Sequence, residues 1–597
     1  MSSKYLYALL IGLLTVVSIR SNFLEEGPLT KEAHDEIDQL FEKVLLESIS
    51  PISELLFKKD KGEQTCVYCK GIISTVRDYV VEKHGFQGLY QFLTKICTTI
   101  GMDEDVCQNA IDGYAPLIFK GLINKMVDET HLCALIKLCK EGNKYLNPDD
   151  FAKELLKDKP DKKREPIDAK AKQWRMLQVT DLHYDLYYQE GAAATCNKPM
   201  CCRDPPAPGV STPLAGKYGY VGDCDINEAL FRTFLDAAEE SKPDFIIWTG
   251  DNAPHDVWKG SQEHVYNSTR ILRDMFNEKF QHKIPIYPVL GNHEKYPNDA
   301  YGKDEHELLQ GMADLYKEYL DDAAYEEFRL HGYYTMKHPN SNLRIVALNC
   351  MECDTCNFNL ISDQSGSKVM FKWLIDVLRQ AEKDGEYVYI LDHIPMNANF
   401  YLTECAVRLR AVIDRFNYII RGHFTGHTHV DDIVGVHSYF NASEIIHINY
   451  VAPPLTTYSN HLPSFRVYQI DSNTKHIIDY EQYRFNVTEA NIKGGAKWYI
   501  SHKATELYQV KDLQEMKKMT EINPEGEYII KHYAEGPGAV EASTKKKTIK
   551  RMKCGILNDN YNDFMTCMFN GKFALDKAWL YQVLNNLVGP WKDDGKN

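Results

Sequence analysis

The 597-residue sequence has no excess of positive charge and no long hydrophobic run beyond its N-terminus. Its 69 lysine and arginine residues are outnumbered by 84 aspartate and glutamate residues, which gives a formal net charge of −15. This balance argues against a nucleic-acid partner bound through bulk electrostatics. After residue 20, no segment has the roughly 18 uncharged apolar residues of a transmembrane helix. We therefore expect a soluble mature protein.

The N-terminus has the pattern of a secretory signal peptide. Lys4 precedes an uncharged apolar run over residues 5–19, and Arg20 follows it. Because this run is short for a membrane span, we predict a cleaved signal peptide over residues 1–22, with a signal anchor as the alternative.

Three glycosylation sequons agree with passage through the secretory route. They occur at Asn267, Asn441 and Asn486, and each has the N-x-[ST] form of an acceptor site. The even number of cysteines, 16 in total, is also typical of an oxidising compartment. The sequence therefore predicts a glycoprotein that is secreted or lysosomal.

The cysteine distribution and the chain length indicate several domains. A chain of this length is too long for one hydrophobic core. A compact block near the N-terminus contains six cysteines, Cys66, Cys69, Cys97, Cys107, Cys133 and Cys139. A block of this size buries little core, so disulfides are its expected cross-links. Zinc binding by its C-x2-C-like pairs is the alternative, but the wide spacing and an oxidising compartment disfavour it.

This cysteine-rich block, residues 62–143, resembles a saposin domain, a small helical bundle that binds lipids. Apolar residues within 71–85 recur at three- and four-residue steps, which is typical of an amphipathic helix. The resemblance implies three disulfides, Cys66–Cys139, Cys69–Cys133 and Cys97–Cys107. A helical spacer without a lipid role is the alternative. The lysine-rich segment 157–172 indicates an exposed linker, within a predicted linker over residues 144–173.

From Trp174 onward, five apolar runs each end in a polar motif. The motifs are DLH at 181–183, GDNAPHD at 250–256, GNHE at 291–294, DH at 392–393 and GHTHVDD at 426–432. Helical patterns over residues 227–241 and 368–385 separate some of these runs. Alternating strands and helices predict an α/β layered sheet, in which ligand sites gather beyond the carboxyl ends of the strands.

Seven side chains of these motifs form a candidate metal-ligand set. They are Asp181, His183, Asp251, Asn292, His393, His427 and His429. Nitrogen and oxygen ligands without thiolate suit hard and borderline divalent ions. Asp251 is the expected bridge, because a carboxylate can give one oxygen to each of two ions. His427 and His429 would point to the same side of an extended chain, although such a pair by itself is also compatible with a polar turn.

The order of these motifs resembles the calcineurin-like metallophosphoesterases. The resemblance implies a two-sheet sandwich flanked by helices. It assigns one ion to Asp181, His183, Asp251 and His429, and the other to Asp251, Asn292, His393 and His427. Two such ions can activate a water and bind phosphoryl oxygens for in-line attack.

Two further histidines of the motifs are candidates for the catalytic acid. Neither is needed as a ligand, so either could donate a proton to the leaving oxygen. His293 is favoured as this donor, with Glu294 orienting its loop. His255 is the second candidate, either as a phosphate contact or as a packed histidine.

Zinc is the expected metal. Purple acid phosphatases carry a tyrosinate ligand three residues after the bridging aspartate, and this sequence has Pro254 there. Without a phenolate, an Fe(III) centre loses its selective ligand, so we expect two Zn²⁺ per chain.

The remaining ten cysteines form local groups near residues 196–224, 350–405 and 554–567. Structural disulfides explain them better than redox chemistry. Four cysteines in a group allow three pairings, so spacing does not choose among them.

The whole arrangement resembles the acid sphingomyelinase family. The resemblance implies a catalytic domain over 174–494 and a helical C-terminal domain over 495–597. It also implies disulfides Cys196–Cys201, Cys202–Cys224, Cys353–Cys405 and Cys554–Cys567. Cys350 and Cys356 remain, and we expect them to pair.

The implied reaction is hydrolysis of sphingomyelin to ceramide and phosphocholine. The saposin-like block would present the lipid from membranes or lipoproteins, and segment 41–57 would act as an interfacial helix or pack on its own domain. We expect a monomer. A soluble nucleotide phosphodiesterase is the alternative enzyme. A lipid-transfer protein with an inactive phosphoesterase domain is the alternative of another class, but it predicts lost ligands and none of the seven is lost.

Overall fold

The protein is represented by a computed structural model that describes residues 103–126, 148–302, 305–361, 365–397, 400–521 and 546–568. The predicted signal peptide, the segment 41–57 and five of the six cysteines of the saposin-like block lie outside these residues. Cys107 lies within them and is disulfide-bonded. None of the helices in these ranges combines the length and apolar character needed to cross a bilayer.

The core consists of two mixed six-stranded sheets. The first sheet has the order β12-β11-β10-β1-β2-β3 and the second has the order β4-β5-β6-β7-β9-β8. The strands are β1 Gln173–Val179, β2 Phe245–Trp248, β3 Ile286–Pro288, β4 Tyr334–Lys337, β5 Leu343–Ala347, β6 Tyr387–Leu391, β7 Ile420–Thr425, β8 Asp432–His437, β9 Ile445–Val451, β10 Ser464–Asp471, β11 Ile477–Arg484 and β12 Tyr499–Lys503. In the first sheet β1, β2 and β3 run parallel, as do β5, β6 and β7 in the second.

Helices surround the sheets and supply the rest of the core. They are α1 Glu104–Met126, α2 Pro148–Leu156, α3 Glu228–Glu240, α4 Gln262–Phe280, α5 His306–Tyr316, α6 Asp322–His331, α7 Ser365–Asp384, α8 Thr403–Phe416, α9 Val487–Lys493, α10 Ala504–Tyr508, α11 Met516–Thr520, α12 Lys546–Leu557 and α13 Tyr561–Met568. The predicted α/β architecture with two sheets flanked by helices is confirmed for these residues.

The sequence patterns explain the catalytic-domain helices. Asn227 caps α3 by accepting a hydrogen bond from the Leu230 amide, which satisfies one of the unpaired donors at a helix start. The next residues bury their apolar face, including Phe231 and Phe234. The helices predicted over 227–241 and 368–385 correspond to α3 and α7, within three residues at each end.

The two sheets pack face to face through aromatic rings and a few buried polar side chains. Tyr468 of β10 meets Phe424 of β7 edge-on, with ring centroids 5.1 Å apart. Gln178 of β1 donates to the carbonyl oxygen of Thr425 in β7, at 3.1 Å. The interface therefore aligns the carboxyl ends of β1 and β7.

The C-terminal region departs from the predicted helical domain over 495–597. Residues Tyr499–Lys503 form β12, which pairs antiparallel with β11 at the edge of the first sheet. The predicted boundary at residue 495 therefore falls just before a strand of the catalytic sandwich. The helices α10 to α13 follow this strand in the described residues.

The lysine-rich linker is exposed for most of its length, yet it is tied to α8 and to the start of β7 in the second sheet. Arg164 donates from Nε to the carbonyl of Asn417 at 2.8 Å and from Nη2 to that of Ile420 at 3.1 Å. Lys159 pairs with the buried Asp414 at 2.5 Å. The sequence did not predict this docking, because its partners lie some 250 residues away.

Helix α1, the described part of the saposin-like block, packs against the catalytic domain. Tyr114 meets Phe358 edge-on, with ring centroids 6.4 Å apart. A Cβ at Gly113 would lie 3.2 Å from the Pro297 side chain, so the backbone of α1 comes close to the segment that follows GNHE.

Four disulfides cross-link the described part of the chain, and they are the pairs that the resemblance implied. They are Cys196–Cys201, Cys202–Cys224, Cys353–Cys405 and Cys554–Cys567. The expected pairing of Cys350 with Cys356 is wrong: both are buried thiols that form no disulfide. The Cys350 Sγ instead points at the carbonyl of Leu290, at 3.6 Å.

Candidate metal centre

The seven predicted ligands lie in loops that leave the carboxyl ends of five strands. Asp181 and His183 follow β1, Asp251 follows β2, and Asn292 begins a 3-10 turn after β3. The second sheet supplies the remaining three, His393 after β6 and His427 and His429 after β7. The site therefore forms where the strand ends of the two sheets meet.

The backbone is left-handed at five of these positions. The φ angles are positive at Asp181 (50°), His183 (44°), Asp251 (60°), His427 (66°) and His429 (56°). Such conformations cost about 1–3 kcal/mol each and persist only where the surrounding structure holds them. The expectation of an extended chain at His427 and His429 is therefore wrong, and the two rings reach the site from a tight turn.

Three side chains converge at one side of the site. The Nε2 atoms of His183 and His429 lie 3.3 Å apart. Asp181 Oδ1 lies 3.4 Å from His429 Nε2 and 4.0 Å from His183 Nε2. These are three of the four residues that the resemblance assigns to one ion.

The other side of the site is formed by His393, His427, Asn292 and Asp251. His393 Nε2 lies 3.1 Å from Asp251 Oδ2, and His427 Nδ1 lies 3.0 Å from Asn292 Oδ1. The His393 and His427 rings meet edge-on, with centroids 5.2 Å apart. Asp251, His393 and His427 present donor atoms that all lie within 4.8 Å of one another.

Asp251 lies between these two groups, but its two oxygens have different partners. Oδ2 lies 3.1 Å from His393 Nε2 and 3.6 Å from His183 Nε2. Oδ1 accepts a hydrogen bond from the His293 amide at 2.9 Å. We expected one oxygen for each ion, whereas here a single oxygen faces ligands of both predicted ions.

Backbone carbonyls orient two of the histidines. His183 Nδ1 lies 2.8 Å from the carbonyl of Ala253, and His393 Nδ1 lies 2.6 Å from that of Thr249. Because a carbonyl oxygen only accepts, each Nδ1 carries a proton and each Nε2 is directed towards the site. Carbonyl partners of this kind are typical of metal-binding histidines.

Three glycines allow the loops to approach closely. A Cβ at Gly291 would lie 2.2 Å from Asp251 Oδ1, and one at Gly426 would lie 2.5 Å from Asp181 Oδ2. A Cβ at Gly250 would lie 2.6 Å from the Gly291 amide nitrogen. Each glycine precedes a predicted ligand, so the G-D, G-N and G-H pairs of the sequence have a steric cause.

Glu294 connects the loops after β2 and β3. Its carboxylate accepts the amide hydrogens of Gly291 at 2.5 Å, Asn252 at 2.7 Å and Asp251 at 3.0 Å. Burial, followed by the nearby Asp251, raises the pKa of Glu294 to about 7. Glu294 is the residue predicted to orient the His293 loop, and these contacts fix that loop against Asp251.

The two candidate acids border the His183 side of the site. His293 has its ring centroid 4.7 Å from that of His183, and burial lowers the pKa of His293 to about 4. His255 lies closer, 3.8 Å from His183 between ring centroids. Both rings therefore lie at the candidate centre.

His255 is not simply packed, because Asp225 holds it twice. The His255 amide donates to Asp225 Oδ2 at 2.7 Å, and Nδ1 lies 2.8 Å from Asp225 Oδ1. Thr456 also donates to Asp225, at 2.8 Å, and the Tyr458 ring stacks on His255 with centroids 4.0 Å apart. Asp225 was not among the predicted site residues, since nothing in GDCDIN marks it as a partner of a histidine 30 residues later.

The charges of the site favour a cationic partner. Burial opposes ionisation of Asp181 and Asp251, yet the surrounding imidazoles outweigh it and lower the pKa of both carboxyl groups. Burial likewise opposes a charge on His393, but Asp251 raises the pKa of this imidazole to about 10. Two ionised carboxylates in a buried site require compensating positive charge.

The donor set fits a pair of divalent metal ions. His427 Nε2 is buried without a hydrogen-bond partner among the described residues. An unpaired buried nitrogen is costly unless something binds it, and imidazole is the commonest neutral metal ligand. The converging nitrogens and oxygens, oriented by carbonyls, thus provide ligands for hard or borderline ions.

Comparisons with known proteins agree with this geometry. Residues 175–431 match the family model for calcineurin-like phosphoesterases. Residues 435–533 match the model for the C-terminal region of acid sphingomyelin phosphodiesterases.

Curated relatives extend the similarity over most of the chain. Sphingomyelin phosphodiesterase A of Dictyostelium discoideum is 33% identical over 481 residues, which cover 75% of this chain and 80% of the relative. The sphingomyelin phosphodiesterase of Bos taurus is 32% identical over 348 residues, 56% of this chain and 55% of the relative. A cyclic GMP-AMP phosphodiesterase of Rattus norvegicus is 30% identical over 357 residues, 56% of this chain and 77% of the relative. The chain therefore belongs to the acid sphingomyelinase-like family and is a phosphodiesterase with a calcineurin-like domain.

Proposed function

We propose that this chain hydrolyses sphingomyelin to ceramide and phosphocholine. The observation that carries the proposal is the convergence of seven ligand-type side chains from both sheets, in a chain that is similar over three quarters of its length to a sphingomyelin phosphodiesterase. A phosphodiester held between polar loops at the strand ends is the substrate class that this arrangement serves.

The seven residues would hold two divalent ions, and we propose zinc. Asp181, His183 and His429 would hold one, while Asn292, His393 and His427 would hold the other, with Asp251 between them. When bound, such ions supply a nucleophilic water at neutral or acid pH and neutralise charge on the phosphoryl oxygens. Pro254 at the position of the phenolate ligand supports zinc over an Fe(III) centre.

The chain's own residues would orient the site and move the proton. Ala253 and Thr249 direct Nε2 of His183 and His393 inwards through their carbonyls. His293 is proposed to donate the proton to the leaving oxygen, and its loop is held by Glu294. His255, fixed by Asp225, is proposed as a phosphate contact or as the alternative donor.

The roles of His293 and His255 can be distinguished by how strongly the hydrolysis rate of each variant depends on the leaving group. The ceramide alkoxide is a poor leaving group and requires a proton, whereas p-nitrophenolate leaves readily without one. We expect the acid's Gln variant to lose roughly 10²–10⁴-fold in sphingomyelin hydrolysis but much less with a p-nitrophenyl phosphodiester. If His293→Gln slows both substrates equally while His255→Gln shows the selective loss, the roles are exchanged.

The predicted N-terminal block would present the lipid. A phosphodiester at a bilayer surface is out of reach of a rigid cleft, and α1 already lies against the segment that follows GNHE. We propose a secreted or lysosomal, glycosylated monomer, with carbohydrate at Asn267, Asn441 and Asn486 and with sphingomyelin as the membrane partner.

A soluble phosphodiesterase acting on nucleotides is the second candidate. It is favoured by the similarity to cyclic GMP-AMP phosphodiesterases, which is confined to 56% of this chain. The longer match to sphingomyelin phosphodiesterase A favours the lipid substrate.

A three-substrate assay tests the proposal. Full-length protein, the His427→Ala variant and a chain beginning at residue 148 would be given sphingomyelin liposomes, a p-nitrophenyl phosphodiester and a cyclic dinucleotide, with and without zinc. Starting at residue 148 keeps the docked linker intact. We expect full-length protein to cleave liposomal sphingomyelin, His427→Ala to cleave nothing, and the shortened chain to lose liposome activity selectively. Cleavage of the dinucleotide without any action on liposomes would replace the sphingomyelin proposal by the second candidate.

A further inference from the structure

The loop that carries His427 and His429 ends at a buried carboxylate outside the candidate metal centre. Asp431 lies two residues after His429 and is fully buried. Its Oδ1 accepts a hydrogen bond from Arg466 Nη2 at 2.5 Å, and its Oδ2 lies 3.0 Å from His502 Nε2. Arg466 belongs to β10 and His502 to β12, so two strands of the first sheet hold a loop that leaves the second sheet.

Arg466 is itself fixed by several partners in the core. Its guanidinium donates to Gln482 Oε1 at 2.9 Å and to the Tyr468 hydroxyl at 3.1 Å. It also lies over the Tyr480 ring, 4.0 Å from the centroid. An arginine held by a carboxylate, an amide and an aromatic face has one orientation available, so it can hold Asp431 in one place.

The contacts continue from Arg466 to the beginning of the same loop. The Tyr468 hydroxyl donates to Gln178 Oε1 at 2.8 Å. Gln178 Nε2 then donates to the Thr425 carbonyl at 3.1 Å and to Thr249 Oγ1 at 3.2 Å. Thr425 is the last residue of β7, directly before Gly426 and His427, and the Thr249 carbonyl is the partner of His393.

We propose that Asp431, Arg466 and His502 are positioning residues that set the metal affinity of this centre by fixing both ends of the His427–His429 loop. The inference rests on the proposed dinuclear site but not on its substrate. The backbone at His427 and His429 is left-handed and needs such external support. The strands β10–β12 lie in the region that matches the family's C-terminal model, so this region would complete the metal site rather than merely flank it.

The test measures metal affinity directly. Zinc affinity of the full chain would be determined by competition with a chromophoric chelator, alongside thermal unfolding and hydrolysis of a p-nitrophenyl phosphodiester over a zinc titration. Asp431→Asn is expected to weaken zinc binding by roughly 10–100-fold. His502→Gln, which loses only the Oδ2 contact, is expected to have a smaller effect in the same direction. In both variants activity should recover at high zinc, because the ligands themselves remain.

A matched control separates positioning from general stability. Arg421 is a buried arginine of β7 in the second sheet. It donates to the carbonyls of Tyr418 and Thr474 at 2.6 and 2.9 Å, at the end of β7 opposite the metal loop. Arg421→Met should lower the unfolding temperature and leave zinc affinity within about twofold of the parent.

Two outcomes would overturn the proposal. One is a folded Asp431→Asn protein with the zinc affinity of the parent. That variant could fail to fold because the Arg466 charge loses its carboxylate partner. The Asp431→Asn/Arg466→Met double variant removes this charge. Zinc affinity equal to that of the parent in the double variant would also overturn the proposal. A parent chain that binds no zinc would instead contradict the proposed metal centre itself.

Discussion

The two sheets contribute to the candidate centre in chemically different ways. The first sheet supplies both carboxylates and the amide, Asp181, Asp251 and Asn292, together with one histidine. The second sheet supplies only histidines, three in number. Negative charge thus comes from one layer and most of the nitrogen ligands from the other, so neither sheet has a complete site by itself.

The supporting contacts differ in the same way. In the first sheet, neighbouring loops hold each other, since Glu294 binds three amides of the loops after β2 and β3. In the second sheet, the His427–His429 loop is held from across the sandwich, through Arg466 and Gln178. Mutations that disturb the packing between the sheets should therefore leave the Glu294 contacts intact. The same mutations should weaken the contacts that hold the His427–His429 loop.

The largest effect is expected where the two layers meet. Asp251→Asn removes the carboxylate that faces both His183 and His393, and it should reduce phosphodiester hydrolysis by roughly 10³-fold, or about 4 kcal/mol. Bound zinc, measured by elemental analysis, should fall in parallel. Asp274→Asn changes an exposed carboxylate of α4, 59% exposed, and should leave both quantities unchanged. A zinc-replete, active Asp251→Asn protein would remove Asp251 from the centre.

The close approach within the first sheet is tested by Gly291→Ala. The new Cβ would lie 2.2 Å from Asp251 Oδ1, so the loop or the carboxylate must move, and we expect roughly a 10²-fold loss of activity. In Gly555→Ala of α12 the nearest atom is 3.6 Å from the new Cβ, and stability should stay the same or rise by about 0.5–1 kcal/mol. Equal activity of the two variants would refute the steric explanation.

Loss of local support should have an intermediate effect. Glu294→Gln replaces one accepting oxygen by a donor that faces backbone amides, so the β2 and β3 loops should separate and activity should fall roughly 10–100-fold. Glu386 is a buried glutamate directly before β6, paired with Arg344 at 2.5 Å. Glu386→Gln should lower the unfolding temperature without changing zinc affinity. If Glu294→Gln and Glu386→Gln reduce zinc affinity equally, the reduction reflects lower stability and not the lost loop contacts.

The smallest effect concerns the docked linker on the second sheet. Arg164 Nη2 lies 2.7 Å from His447 Nδ1, and because an arginine only donates, His447 accepts and must be neutral. Burial, followed by Arg164, lowers the pKa of His447 well below its ordinary value.

The sign of the pH effect follows from this lowered pKa. The contribution of His447 to stability is fully present above about pH 6.5, the unfolded value, and is lost as the pH falls towards the folded pKa. The slope for one such group is at most about 1.4 kcal/mol per pH unit. His447→Asn keeps an acceptor and cannot titrate, so its unfolding temperature should fall less between pH 7.5 and pH 5 than that of the parent. An unchanged pH dependence would show that His447 does not couple the linker to acid.

Much of the site could be predicted because its determinants are local. An apolar strand followed by a polar motif marks each loop, and the glycines before Asp251, Asn292 and His427 reflect contacts within or between those loops. The helices α3 and α7 follow from their apolar spacing and, for α3, from the cap at Asn227. The errors arose where the outcome depended on distant partners. β12 needs β11 as a neighbour, and the Cys350 thiol points at Leu290 rather than at Cys356.

The order and chemical identity of the ligands can be read directly from the chain, since covalent order and side-chain type are independent of folding. The fold, in contrast, sets which oxygen of Asp251 faces the histidines, places Asp225 against His255, and holds Asp431 from the opposite sheet. These contacts join residues that are far apart in the chain, and only the folded chain brings them to within hydrogen-bonding distance. The charge of the buried centre is likewise a property of the fold, because burial and neighbouring groups set each pKa.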